Sequence, residues 1–144
     1  MKAAPSGMVV QTILFQNVVT DPRTQVQAFV NPVQGYLAES FPMACGLVAL
    51  TAISGAPRGA VALIHRILVD GQEVSVHQHQ PAAVTVAGMG LSFRLELQEL
   101  QIAQPCVLTI QAEVPGGPRG ADVSLVVAAQ EVLRTGRPGG GWKA

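Results

Sequence analysis

The sequence predicts an all-β fold, built as a single antiparallel β-sandwich. Apolar and polar residues alternate with a period of two along most of the chain, which is typical of strands with one buried face. Residues that favour turns separate these alternating runs, and no run shows sustained helical periodicity with capping residues. Short strands at this spacing indicate a sandwich or a barrel.

The alternation defines seven or eight strands. In the stretch 91–98 every second residue is Leu or Phe, and the residues between them are polar. The stretch 106–114 alternates in the same way, and the stretch 60–69 places one histidine, His65, on an otherwise apolar face. By this criterion the strands lie near residues 8–19, 25–31, 44–54, 60–69, 72–79, 84–98, 106–114 and 122–133.

Turn signals fall between these strands. Asp70-Gly71 is the strongest, because Asp-Gly suits the two positive φ angles of a type I′ turn and so predicts a tight hairpin. The run 21–24, Asp-Pro-Arg-Thr, predicts a turn after the first strand. Two loops rich in Gly and Pro, 55–59 and 116–120, separate later strands.

The length of 144 residues corresponds to one domain, which we place at 8–135. Residues 1–7 are expected to be a flexible N-terminus and 136–144 a flexible, Gly-rich tail. The single tryptophan of the chain, Trp142, lies in that tail. An aromatic side chain on a flexible tether suits docking onto a neighbouring subunit, whereas a frayed tail or one folded back on its own domain is the alternative.

Composition limits the partners. Charged residues make up only 12% of the chain and the formal net charge is zero, which argues against a nucleic-acid partner. No apolar run reaches the ~18 residues of a membrane helix, and the N-terminus carries no signal peptide. We therefore expect a cytoplasmic protein, or one in a virion assembled in the cytoplasm. A surface this poor in charge does not oppose association, so a homo-oligomer or a larger assembly is expected to cover part of it.

Two parts of the chain resemble each other at an offset of 61 residues. In each, a cysteine precedes the first glycine of a Gly-x-Pro-Arg-Gly loop by ten positions: Cys45 before the loop 55–59 and Cys106 before the loop 116–120. If the two units occupy equivalent places in the two sheets, Arg58 and Arg119 form a cationic patch on loops at one end of the sandwich. The alternative is that Pro and Gly simply make good loops.

The same argument brings Cys45 and Cys106 together between the sheets. Their separation suits the cross-sheet pair of immunoglobulin-like domains, although the tryptophan that usually packs there is absent. The two cysteines form either a disulfide or a pair of buried thiols. Without a secretion signal, buried free thiols are the expected state.

Residues that could carry chemistry are few. His77 and His79 lie two apart on a predicted strand, so their rings point to one face, and His65 is the only other histidine that could complete a metal site. The alternative is an exposed polar strand face, with His65 as a hydrogen-bonded core or interface residue. No nucleophile motif, catalytic carboxylate pair or phosphate loop is present, so we expect no enzymatic activity, no metal and no cofactor.

The chain resembles small bacterial β-sandwich proteins of unknown function over residues 8–133. The resemblance lies in Ser40-Phe41-Pro42 before a strand, the hairpin of 69–74 and a last strand ending in 130–132, Gln-Glu-Val. It implies an immunoglobulin-like sandwich, with a jelly roll as the second choice, and it implies no catalytic residues.

The function expected from these observations is structural. The protein self-associates or docks on a larger complex, and a phage capsid coat or decoration protein is one concrete form of this role. The first alternative is a bacterial binding module that uses the end loops around Arg58 and Arg119. The remote alternative is a metal-dependent enzyme on the side of His65, His77 and His79.

Overall fold

The computed structural model describes residues 7–129 of the chain. Within that range it contains eleven strands and no helix. The strands are β1 (Val9–Thr20), β2 (Gln27–Pro32), β3 (Gly35–Ala38), β4 (Met43–Ser54), β5 (Gly59–Val61), β6 (Ile64–Val69), β7 (Gln72–Gln78), β8 (Ala82–Val84), β9 (Leu91–Ile102), β10 (Cys106–Glu113) and β11 (Val123–Ala129).

Two sheets pack face to face, which confirms the predicted all-β sandwich. The first sheet has the strand order β2-β1-β4-β9, and the second has the order β3-β11-β10-β6-β7. A small third sheet pairs β5 with β8. Neighbouring strands are antiparallel except β3 and β11, which are parallel. The strands that carry the two cysteines, β4 and β10, lie in opposite sheets, as the expected arrangement requires.

The alternating residues of the two sheets fill the space between them. Along β9, Phe93 and Leu95 are buried while Ser92 and Arg94 are exposed, as the sequence predicted. The buried apolar residues form two separate clusters. One cluster is centred on Leu47, Leu108 and Leu125, and the other on Ile53, Leu63 and Val84. Each fully buried side chain of this size contributes about 1.5–3 kcal/mol to folding.

The predicted Asp-Gly hairpin is confirmed. Asp70 and Gly71 both have positive φ angles, +50° and +85°, and they join β6 to β7 with Val69 paired to Gln72. The predicted turn after the first strand is also present. There the backbone N–H of Arg23 donates to a carboxylate oxygen of Asp21 at 2.8 Å.

The strand count is higher than predicted, and each difference has a local cause. The predicted strand 60–69 is divided, because the chain crosses at 62–63 from the small sheet to the five-stranded sheet. The predicted strand 84–98 is divided by a bend around Gly88, whose φ is +86° and whose N–H donates to the carbonyl of Ala56. β3 has only four residues, too few for alternation to be visible, and it is defined by pairing with β11.

The two ends of the chain fall outside the described residues. The predicted N-terminal segment 1–7 is described only at Gly7, the predicted last strand is described as far as Ala129, and the predicted tail 136–144 is not described. The predicted boundary of the domain at 135 also lies outside this range.

Candidate functional site

A β-hairpin extends beyond the body of the first sheet. β1 pairs with β4 only as far as Phe15, and from Asn17 to Thr20 it pairs with β2 alone. We call residues 16–31 the arm. Within the described chain no third strand pairs with the arm, so backbone groups along both of its outer edges are left without strand partners.

Apolar side chains are exposed along the arm. Val19 and Val26 are 51% and 63% exposed, and Phe29 and Val30 on β2 are half-buried. The ring of Phe29 contacts that of Phe15 with centroids 5.4 Å apart, which fixes β2 against the base of the arm. A hairpin that buries so little of its own apolar surface gains stability when another surface covers it.

The arm carries almost no charge. Asp21 and Arg23 at its tip are its only charged residues, and their side chains lie 4.0 Å apart. No other charged residue occurs from 8 to 38. The arm therefore has no net charge and offers no electrostatic barrier to a neutral partner.

The arm leaves the sheet next to a β-bulge. The pairing of β4 with β9 shifts between Cys45 and Leu47, and the hydroxyl of Tyr36 donates to the carbonyl of Gly46 at 2.6 Å. A groove of about 530 Å³ lies between the arm and this bulge. It is lined by Gln16, Asn17, Val30, Asn31, Gly46, Leu47, Val48, Glu96, Leu97 and Gln98.

The outer face of the five-stranded sheet differs from the arm. Arg66 on β6 lies on this face and forms ion pairs with Glu73 on β7, at 3.2 Å, and with Glu113 on β10. Exposed Val107 and Val126 lie side by side on the same face. Paired charges beside isolated valines are ordinary for a solvated face.

A chain of hydrogen-bonded polar side chains crosses the core. The hydroxyls of Thr12 and Thr51 are 2.7 Å apart in the first sheet. Thr51 Oγ1 then meets Nε2 of His65 in the second sheet at 2.7 Å, and His65 Nδ1 meets Nε2 of His79 at 2.8 Å. We call these four residues the polar chain. Thr51 and His65 are completely buried.

The polar chain lies at the boundary between the two apolar clusters. Along β4, Thr51 separates Ala49 of the first cluster from Ile53 of the second. His65 likewise follows Leu63 of the second cluster and precedes Ile67 of the first. Because both buried groups are satisfied only when the sheets are in register, the polar chain fixes one sheet against the other.

The polar chain keeps His65 neutral. Burial, together with nearby His79 and His77, lowers the pKa of His65 from 6.5 to about 4. Burial and then His77 also lower the pKa of His79. Neutral rings satisfy every hydrogen bond of the polar chain. Each group donates to the next either from Thr12 towards His79 or from His79 towards Thr12, and each direction requires one neutral tautomer of His65.

The three histidines come close together, and two of them, His65 and His79, form hydrogen bonds. His77 lies opposite His65 on the neighbouring strand, and His79 is hydrogen-bonded to His65. The prediction of His65 as a hydrogen-bonded core residue is confirmed. Both ring nitrogens of His65 are occupied by hydrogen bonds, and residues 7–129 contain no group of three or more metal-ligating side chains placed to hold an ion.

The two arginine loops share one end of the sandwich. A Cβ on Gly55 would collide with the backbone of Gly7, and one on Gly120 would lie 2.9 Å from the carbonyl oxygen of Val10. Both loops therefore pack against the beginning of β1. Their surroundings differ, because the second loop closes a hairpin between β10 and β11, whereas the first leads from β4 across to the small sheet.

The two arginines differ in the same way. Arg119 donates to Asp122 at 3.0 Å, and this hydrogen bond, followed by one from Gln111, lowers the pKa of that carboxyl. Arg58 is exposed and has no ion-pair partner among the described residues. The predicted cationic patch thus contains one arginine whose charge is already balanced.

Both cysteines are free thiols in the structure. Cys106 is buried in the first apolar cluster, and half-buried Cys45 packs against it. Burial raises the pKa of both thiols, and the other thiol adds to the effect at Cys45. This arrangement agrees with the expected buried thiol pair rather than with the disulfide.

Sequence reasoning missed the arm as a projecting element and the two threonines of the polar chain. It predicted both strands of the arm, yet alternation does not tell which strands stay paired on both sides. The signal that could have found the arm is the absence of charge from 8 to 38 apart from the turn. Trp142, the third predicted interaction residue, lies outside the described residues.

The chain matches no known protein family, and no curated protein is detectably similar to it. Residues 7–129 contain no helix long and apolar enough to cross a membrane.

Proposed function

We propose that this protein is a non-enzymatic structural protein that self-associates or docks on a larger assembly through the arm. The observation that carries the proposal is a projecting hairpin with two open edges, exposed valines and no net charge. Open strand edges of this kind are templates for pairing with another chain.

The composition of the whole chain supports the same role. With a net charge of zero and 12% charged residues, long-range repulsion between copies is weak. A phage capsid coat or decoration protein is one concrete form of this function, since such proteins repeat a single contact many times. Trp142 is proposed as a second, tail-borne contact.

The proposed function is tested by charging the arm. Val19→Lys combined with Val26→Lys places two cations on exposed positions, so the fold should survive while association weakens. Each valine removed from an interface costs about 1.5 kcal/mol, or about tenfold in affinity. The molar mass by light scattering should fall from an oligomer to the monomer.

The matched control is Val86→Lys, because Val86 is 65% exposed and lies outside the arm. Its molar mass should equal that of the unmodified chain. A double arm variant that associates as strongly as the control would contradict the proposed function.

A further inference from the structure

The outer edge of β2 lacks the features that protect strand edges from pairing. β2 has six residues, and its sequence, Gln-Ala-Phe-Val-Asn-Pro, contains no charge and only one proline, at its end. Edge strands are usually guarded by charged residues, by bulges or by being very short. β2 has none of these along 27–30, and its regular extended backbone ends at Asn31, where φ is +57°.

The other strand edges are protected. β9, the opposite edge of the same sheet, carries Arg94 and Glu96, which form an ion pair at 2.8 Å. β7 carries Glu73, which is engaged with Arg66, and β3 has only four residues. β1 also lacks a second strand partner along 16–20, but Gln16 and Asn17 line the groove, so only the short stretch 18–20 stays open on that side. β5 and β8 of the small sheet have three residues each. Among the described strands, β2 is the one edge strand longer than four residues that carries no charge.

We propose that β2 pairs antiparallel with β2 of a second copy of this chain, which joins two four-stranded sheets into one of eight strands. This inference rests on the proposed function and names the partner and the register. In such a dimer the two-fold axis runs between the two β2 strands and perpendicular to the sheet. Residues that face each other across the axis therefore lie on the same face of the sheet. Placing the axis between the two copies of Phe29 meets this condition.

The register makes the strand self-complementary. Phe29 faces the partner's Phe29, and Ala28 faces the partner's Val30. Gln27 comes opposite the partner's Asn31, whose left-handed φ of +57° ends the regular pairing. The aromatic and apolar pairs lie at the centre of the strand and the amide pairs at its ends. Both kinds of pair are favourable across neighbouring strands. Because the two charges at the tip of the arm balance each other, a second copy meets no net charge there.

Variants that carry opposite charges at position 28 test the pairing of the two β2 strands. Ala28 is exposed, and in this register the two copies of residue 28 are diagonal neighbours about 7 Å apart. Ala28→Lys alone and Ala28→Glu alone should each weaken the dimer at least tenfold through like-charge repulsion. An equimolar mixture of the two variants should restore a dimer that contains one copy of each, measured by light scattering and native mass spectrometry.

Ala52→Lys is the matched control, because Ala52 is an exposed alanine near the end of β4, a strand that has neighbours on both sides in the sheet. It should dimerise like the unmodified chain. Variants at Ala28 that dimerise like this control, or a mixture that remains monomeric, would overturn the pairing. A chain that remains monomeric up to roughly 1 mM would overturn it as well.

The two proposals fail separately. If the double substitution at Val19 and Val26 abolishes association while both Ala28 variants associate normally, the arm is the contact and strand pairing is wrong. If neither set of variants changes association, the proposed function through the arm is wrong too.

Discussion

His65 is a titratable side chain with no contact to water, held neutral between a threonine and a second histidine. An isolated buried imidazole would lose its hydrogen bonds with water and gain nothing in return. Here both ring nitrogens have partners, so the cost falls mainly on the protonated form. This is why the pKa of His65 is lowered to about 4.

The lowered pKa predicts that acid destabilises the fold. Between its unfolded pKa of 6.5 and its folded pKa of about 4, His65 binds a proton in the unfolded chain but not in the folded one. The contribution of neutral His65 to the free energy of unfolding is therefore complete above about pH 6.5 and is lost as the pH falls towards 4. The loss amounts to about 3 kcal/mol in the free energy of unfolding.

Urea unfolding of the unmodified chain and of His65→Gln at pH 7.5 and 4.5 measures this effect. The variant should be less stable at the higher pH but lose about 2–3 kcal/mol less on acidification. His77→Gln is the control, because His77 is exposed and contributes less to the lowered pKa of His65 than burial and His79 do, so this variant should retain most of the loss. Equal acid sensitivity in His65→Gln and the unmodified chain would contradict this account.

Thr51 is predicted to be the most sensitive hydroxyl. Thr51→Val removes two hydrogen bonds, so the Thr12 hydroxyl and Nε2 of His65 lose these partners, at a cost of about 1–3 kcal/mol. Thr109→Val removes a hydroxyl pair with Ser124 on an exposed face and should cost at most about 0.5 kcal/mol. Similar unfolding midpoints for the two variants would argue against the polar chain.

Sequence reasoning singled out both histidines of the polar chain, with His65 as a hydrogen-bonded core residue, but it missed the threonines for a physical reason. A histidine on an apolar strand face is conspicuous, because a buried polar ring needs partners. In the sequence, Thr12 and Thr51 are indistinguishable from other small strand residues. The packing of one sheet on the other brings Thr51 to His65, and Thr12 is hydrogen-bonded to Thr51. That packing is not encoded in the period of either strand.

At the scale of elements, the two Gly-x-Pro-Arg-Gly loops, 55–59 and 116–120, show how similar local sequences lie in two different environments. Gly55 and Gly116 occupy equivalent positions and have nearly equal φ angles, +76° and +73°. A Cβ on Gly116 would meet open space, whereas one on Gly55 would collide with the backbone of Gly7, which precedes Met8, a buried residue of the second cluster.

The loops therefore predict unequal effects of the same substitution. Gly116→Ala should cost about 1 kcal/mol, the price of a left-handed backbone for alanine. Gly55→Ala should cost at least about twice as much, because the backbone of Gly7 must also move. Thermal or urea unfolding of the two variants measures the difference, and equal losses would show that Gly55 is not confined.

The eight predicted strand regions are present in the structure, because period-two alternation survives wherever one face is buried. The hairpin at Asp70-Gly71 was predictable for an equally local reason, its two positive φ angles. The divisions of the predicted strands at 62–63 and near Gly88 were not, since they depend on which sheet each piece joins.

At the scale of the whole molecule, the body of the sandwich carries charged pairs that protect its edges from strand pairing, and the arm does not. Charged pairs occupy the edge at β9 and the outer face around Arg66, while the arm has no net charge. A solitary domain would gain solubility from a charge on β2, so the absence of one fits a strand that is covered in use.

Amide hydrogen exchange of the full chain at low and high protein concentration tests this claim most directly. The account predicts that exchange in β2 slows at least tenfold at high concentration, because pairing protects its outward amides. Exchange in β7, an edge strand of the other sheet, should not change. Protection that rises elsewhere while β2 exchanges at the same rate at both concentrations would contradict the account.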